Sequence, residues 1–276
     1  MQLIEFLEGD SPLLVSIPHG GTALPQSMTE NFSDATFRLA DTDWHLRRLY
    51  DFATDLGASI IQPHFSRYVI DLNRPPDNAA LYPGAKGTQL CPTSNFAEEA
   101  LYRPGREPSE AEVAQRLATY WQPYHNKLQA ELARIKAKHG IAILFEAHSI
   151  RSRVPRLFDG RLPDINIGTA SGQSCAPAML EAVNSVLCSQ NKYSYVVDQR
   201  FKGGYITRAY GQPHNGIHAM QLELSQRTYM SEEFPFHYHD DRAAQVQPLL
   251  LQVVKALRVW GVKQRIAPAF NSNKGK

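Results

Sequence analysis

Seven short apolar runs punctuate the chain: LLVSI (13–17), SIIQP (59–63), YVIDL (68–72), IAILFEAH (141–148), INIGT (165–169), YSYVV (193–197) and HAMQLEL (218–224). Runs of this length, bounded by polar and turn residues, predict buried strands. Between them the apolar positions recur at helical spacing. WHLRRLYDFATDLG (44–57) predicts a helix capped by Thr42 or Asp43 and stopped at Gly57. Residues 109–140 predict a long helix opened by Ser109 with glutamates just behind it and closed at Gly140. Residues 175–190 and 241–261 give two more amphipathic helices. Strands alternating with helices predict an α/β fold, with helices on both faces of a mostly parallel sheet. No repeat or linker divides the chain, so residues 1–270 read as one domain followed by a polar tail, 271–276.

Composition narrows the function classes. The net charge of +2 leaves no electrostatic footprint for nucleic acid. No apolar run approaches the roughly 20 residues that span a bilayer. The N-terminus lacks the pattern of a secretory signal. Cys91, Cys175 and Cys188 are odd in number and widely spaced, which supplies neither a disulfide framework nor a cysteine zinc site. A cytoplasmic protein is expected. The oligomeric state is not encoded in any pattern of the chain.

Ligands in such sheets gather at the C-terminal ends of strands, so the residues that end the apolar runs carry the chemistry. The first run ends in His19-Gly20-Gly21, and the glycines allow a close approach to the backbone. The fourth ends in Glu146-Ala147-His148-Ser149, where Glu146 and His148, two apart, share a strand face. Two histidines at the ends of two strands suit a metal completed by one carboxylate, from Asp41, Asp43 or Glu146. Capping of the following helix is the plain alternative for the two aspartates. Arg67 precedes YVIDL, and Asp71, Asn73 and Arg74 close it; Asn73 with Arg74 reads as an anion clamp. Glu223, with Gln221 on the same face, sits inside the last apolar run, where a desolvated carboxylate can serve as a general base. Upstream, KGGYITRAYG reads as a functional loop carrying Tyr205 and Arg208, the latter a second anion or oxyanion contact. His45, His237 and His239 have ordinary surface or capping readings, and Trp121 and Trp260 read as core.

Taken in order, SIPHGG, DTDWHLRRLYDF, FSRYVIDLNR, FEAHSI, KGGYITRAYG and MQLELSQRTYM resemble the N-formylglutamate amidohydrolases over nearly the whole chain. A more distant similarity is to zinc carboxypeptidases and aspartoacylase-like amidohydrolases. Those share a metal-binding His-Ser after a strand, like His148-Ser149. They also share an Asn-Arg carboxylate clamp, like Asn73-Arg74, and a basic Glu followed by a Tyr, like Glu223 and Tyr229. The resemblance implies a three-layer α/β/α, zinc-exopeptidase-like fold. It further implies a divalent metal, zinc above all, held by His19, Asp43 and His148.

One departure stands out. The distant relatives draw their first two ligands from His-x-x-Glu, and here Thr22 occupies the third position after His19. Asp43 is therefore the preferred carboxylate. The implied reaction is hydrolysis of an N-acyl amino acid with two carboxylates, N-formyl-L-glutamate, to formate and L-glutamate, the last step of histidine degradation. Glu223 activates the metal's water, Arg208 steadies the oxyanion, and Arg67, Asn73, Arg74, Arg208, Tyr205 and Glu146 contact the substrate. Hydrolysis of another N-acyl acidic amino acid, or a non-catalytic module that binds an acidic metabolite, are the rival readings. No G-x-S-x-G elbow, dinucleotide fingerprint or Walker loop competes.

Overall fold

The computed structural model describes residues 2–80 and 88–266, so the expected tail at 271–276 lies outside the described residues. Its strands are β1 (Ile4–Leu7), β2 (Leu13–Ser16), β3 (Ser59–Pro63), β4 (Ala142–Ile150), β5 (Ile165–Gly168), β6 (Tyr195–Val197) and β7 (Ile217–Ser225). Its α-helices are α1 (Leu46–Leu49), α2 (Glu110–Arg116), α3 (Gln122–His139), α4 (Pro177–Cys188), α5 (Tyr205–Tyr210) and α6 (Asp240–Ile266). The strands form one sheet in the order β1-β3-β2-β4-β7-β5-β6. Its centre is parallel, while β1 pairs antiparallel with β3 and β5 pairs antiparallel with β7.

Alternation along the strands builds two cores. Val15, Ile143, Phe145, Met220 and Leu222 pack on one face under α4 and α6. Leu14, Ala142, Leu144 and Ala219 pack on the other, under Tyr124, Leu128, Leu132 and Ile135 of α3. This is a three-layer α/β/α arrangement, as expected. The chain leaves β2 toward β3 on one side and returns across it to β4 on the other. The C-terminal ends of β2 and β4 therefore flank a crevice of the kind in which open α/β sheets bind ligands.

Ser109 and Glu112 form a reciprocal capping box at the start of α2, and α2 runs into α3 through a π-helical turn at Leu117–Trp121. Three expectations are corrected. YVIDL is not a strand: its apolar side chains are buried, but its backbone turns, with Val69 N–H donating to Ser66 and Asp71 N–H to Leu90. The helix expected at 44–57 shrinks to α1 and a 3-10 turn at Asp51–Ala53, entered through a left-handed His45 with no side-chain cap from Thr42 or Asp43. The edge strand β1 went unread, because its four residues alternate between half-buried and exposed and make no apolar run.

Candidate metal centre

The strand period decides what faces the crevice. Glu146 and His148 follow Ala142 and Leu144 at intervals of two, so they continue the face covered by α3. The parallel register sets His148 beside Glu223 and Glu146 beside Gln221. His19 stands just past β2. The strand-end glycine Gly21 is needed there because a Cβ would lie 2.1 Å from the Phe65 carbonyl oxygen. The backbone that approaches these glycines is thus the protein's own. Asp43 is brought in from the next loop, where its N–H donates to the His19 carbonyl over 3.0 Å.

His19, Asp43 and His148 are all buried, and one ligand atom from each lies within 4.8 Å of the others. Asp43 Oδ2 is 3.0 Å from His148 Nδ1 and 3.7 Å from His19 Nδ1. The outer nitrogens have carboxylates of their own. His19 Nε2 lies 2.7 Å from Asp71 Oδ1, and His148 Nε2 lies 3.3 Å from Glu146 Oε2. With a carboxylate accepting the imidazole proton at each outer nitrogen, a cation that displaces the proton from Nδ1 would find a lone pair there on both rings. Asp71 is fixed in turn by Arg67, Nη2 to Oδ2 2.6 Å, and accepts from Asn73 N–H over 2.9 Å.

The electrostatics of the cluster are lopsided. Asp43, Asp71, Glu146 and Glu223 bring four buried carboxylates together against the buried guanidinium of Arg67. Burial pulls the His148 imidazole down, but Asp43 and Glu146 on either side outweigh it and raise its pKa to about 10. Burial raises Glu223 to about 8, with His148 opposing and Asp43 adding to the shift. Against burial, Arg67 and His19 hold Asp71 well below the ordinary carboxylate range. One Glu146 oxygen, Oε1, has no hydrogen-bond partner among the described residues. Two imidazoles, a carboxylate and surplus negative charge are a donor set that suits a divalent cation.

The group opens into a cavity of about 280 Å³, bordered by Arg67, Asn73, Arg74, Arg200, Gln221 and Glu223 among others. That is the small end of the range for metabolite pockets. Asn73 is its hub. Its Nδ2 lies 3.1 Å from His148 Nε2, and its Oδ1 accepts from the Ile206 N–H over 2.8 Å. Gly204 borders this amide so closely that a Cβ would sit 2.3 Å from Asn73 Nδ2. The Asn73–Arg74 backbone is braced from α3 and its π turn: His125 Nε2 donates to the Leu72 carbonyl and Trp121 Nε1 to the Arg74 carbonyl, 2.9 and 3.0 Å.

Of the residues singled out from the sequence, His19, Asp43, His148, Glu223, Arg67, Asn73 and Arg74 converge on the cavity. Glu146 lies fully buried behind His148 and does not border it. Tyr205 packs against Trp121 and His125, and the exposed Arg208 donates from Nε to the Gly203 carbonyl; neither is part of the cavity wall. Tyr229 is also off the wall, its hydroxyl bonded to the Trp44 carbonyl and to Ser149. Asp41 lies outside the ligand group; it accepts from Phe96 N–H, and burial raises its pKa to about 6. Sequence reasoning missed the service of Asp71 to His19, since YVIDL was read as extended. It also missed Arg200. That residue follows β6, which runs antiparallel to the central strands, so nothing local signals that its loop returns to the cavity.

The sequence profile described as N-formylglutamate amidohydrolase matches residues 11–230. The N-formylglutamate deformylase of Pseudomonas aeruginosa is 48% identical over 260 residues, covering 94% of this chain and 97% of that protein. That of Pseudomonas putida is 47% identical over 263 residues, covering 95% and 98%. The crystal structure of N-formylglutamate amidohydrolase from Ralstonia eutropha JMP134 has the same fold, with a TM-score of 0.81 at 24% identity over 97% of this chain and all of the other. The Atu2144 gene product of Agrobacterium tumefaciens follows at 0.72 and 17%, covering 94% and 96%. With a profile match over most of its length and near-half identity to curated members, the chain belongs to the N-formylglutamate amidohydrolase family.

Proposed function

We propose that this chain is a metal-dependent N-formylglutamate deformylase. It hydrolyses N-formyl-L-glutamate to formate and L-glutamate, with residues 1–270 as one catalytic domain and the reaction standing last in histidine degradation. The observation that carries the reading is the His19–Asp43–His148 group sharing one cavity with Glu223 and several arginines.

A divalent cation held by those three residues would acidify the attacking water and polarise the amide carbonyl. Glu223 takes the proton from that water and passes it to the departing amine. Burial raises the basicity of the Glu223 carboxylate, which suits it to accept a proton from water. Asp71 and Glu146 keep both imidazoles turned with Nδ1 inward, and Arg67 keeps Asp71 ionised. Asn73, next to His148, and the adjoining Arg74 take the carboxylate on the carbon that bears the formamide, since that group must lie close to the reacting carbonyl.

The test is formate release from N-formyl-L-glutamate, followed by proton NMR, before and after exhaustive chelation and again after adding zinc. Release abolished by the chelator and restored by zinc is the expected result. Release that survives chelation refutes the metal dependence. No release from zinc-loaded protein refutes the substrate and turns attention to another acyl group.

A further inference from the structure

The substrate proposed above has two carboxylates, and the arginines of the cavity are not equally available to them. Arg67 is buried, bonded to Asp71 at 2.6 Å, and surrounded by Asp43 and Asp41 as well. Its charge is already spent within the protein. Arg74 follows Asn73 along the chain, helps to hold Asp71 ionised, and its Nε donates to Thr88 Oγ1 over 2.9 Å. Arg200 is different. Among the described residues it has no carboxylate within 4.0 Å, and its buried Nε has no hydrogen-bond partner. The ring of its chain neighbour Phe201 lies 5.6 Å from Cζ, a cation–π contact at the outer edge of the useful range that leaves the N–H donors unused.

The acid closest in sequence is occupied elsewhere. Asp198 accepts from the N–H groups of Thr169 and Ser171 and from the Thr169 hydroxyl. The loop that carries Arg200 is nevertheless well held. Ala170 N–H donates to the Lys202 carbonyl, Gly204 N–H to Gln221 Oε1 over 2.7 Å, and Arg208 Nε to the Gly203 carbonyl over 2.9 Å. Arg208 thus bears on the site through this loop. A half-buried guanidinium, on a braced loop, bordering a cavity and with no carboxylate partner among the described residues, has the chemistry a carboxylate subsite needs.

We propose that Arg200 binds the side-chain carboxylate of the substrate and so sets the preference for an acidic side chain. The inference rests on the deformylase reading for the identity of the substrate, but not for the existence of the subsite. Arg74 and Asn73 serve the carboxylate common to all N-formyl amino acids, while Arg200 serves the one that distinguishes glutamate from glutamine.

The experiment compares kcat/KM for N-formyl-L-glutamate and N-formyl-L-glutamine in the zinc-loaded wild type, Arg200→Gln, Arg200→Lys and Arg74→Gln. A charge-assisted hydrogen-bonded pair predicts that Arg200→Gln lowers the glutamate-to-glutamine ratio about 10–100-fold, chiefly through KM. Arg200→Lys restores part of it, and Arg74→Gln lowers both substrates together. A ratio in Arg200→Gln within about threefold of wild type overturns the proposal, as does an equal fall on both substrates. Calorimetric binding of L-glutamate against L-glutamine repeats the comparison without turnover. Should the wild type release no formate yet show a glutamate preference that Arg200→Gln removes, the deformylase reading fails and the subsite stands. Equal binding of the two in wild type overturns the subsite itself.

Discussion

Asp71 is asked to do two things, and one substitution with one compensating partner separates them. It receives the His19 imidazole at 2.7 Å and the Arg67 guanidinium at 2.6 Å, with all three residues no more than 8% exposed. Asp71→Asn keeps the shape but removes the charge, leaving a guanidinium in a place that water barely reaches. Breaking a buried pair by removing one partner costs about 3–5 kcal/mol. Asp43 and Asp41 also face Arg67, and they repel Asp71, so the low end, about 3 kcal/mol, is expected here. The same substitution removes the acceptor that orients His19, which predicts a drop of about 10–100-fold in zinc affinity. Urea unfolding of chelated protein measures the first effect, and competition with a chromophoric chelator measures the second. Replacing both partners, Arg67→Met with Asp71→Leu, restores most of the stability, because neither charge is stranded, but leaves zinc binding weak. A loss below about 1 kcal/mol in Asp71→Asn, or unchanged zinc affinity, would refute the reasoning.

Glu223→Gln removes the proposed base without changing volume. We expect kcat to fall about 10²–10⁴-fold in steady-state formate release with zinc affinity nearly intact; near-normal turnover would discard its role as base. Gly204→Ala drives a Cβ to 2.3 Å from an Asn73 amide pinned on both sides, so it should cost about 1–3 kcal/mol in urea unfolding and raise KM for N-formylglutamate. His125 tests pH dependence well away from the metal ligands. Burial lowers its pKa from 6.5 to about 4, so the unfolded chain takes up a proton first as pH falls through that window. Its contribution to stability is complete above about pH 6.5 and drops by about 3 kcal/mol on acidification toward pH 4. His125→Gln should flatten the pH dependence of unfolding by that amount, and an identical slope in both proteins would exclude it.

Much of this protein could be read from one dimension. Apolar runs of strand length, separated by amphipathic helices, gave six of the strands in approximate position and the layered α/β class, because burial on both faces of a central sheet demands such runs. The rule that strand ends carry chemistry singled out His19, His148 and Glu223, which the fold brings to one cavity, and the Ser109 and Gly140 signals bounded the long helical segment. Asp43 was ranked first as the carboxylate and it is the one that stands with the two histidines. What failed were the readings that need a partner from far along the chain. YVIDL is apolar enough for a strand, yet its place under α3 and beside Leu90 turns it back and delivers Asp71 to His19. Arg208 and Tyr205 lie in a stretch whose sequence read as a functional loop, but it folds as α5 and neither side chain borders the cavity. Arg200 enters from a strand that runs against the central ones. Local patterning fixes which residues are buried and on which face of their own element, since side-chain period and solvent exclusion act over a few residues. Which buried polar groups meet one another is decided by strand order, register and loop closure, and those are properties of contacts between segments that the chain holds dozens of residues apart.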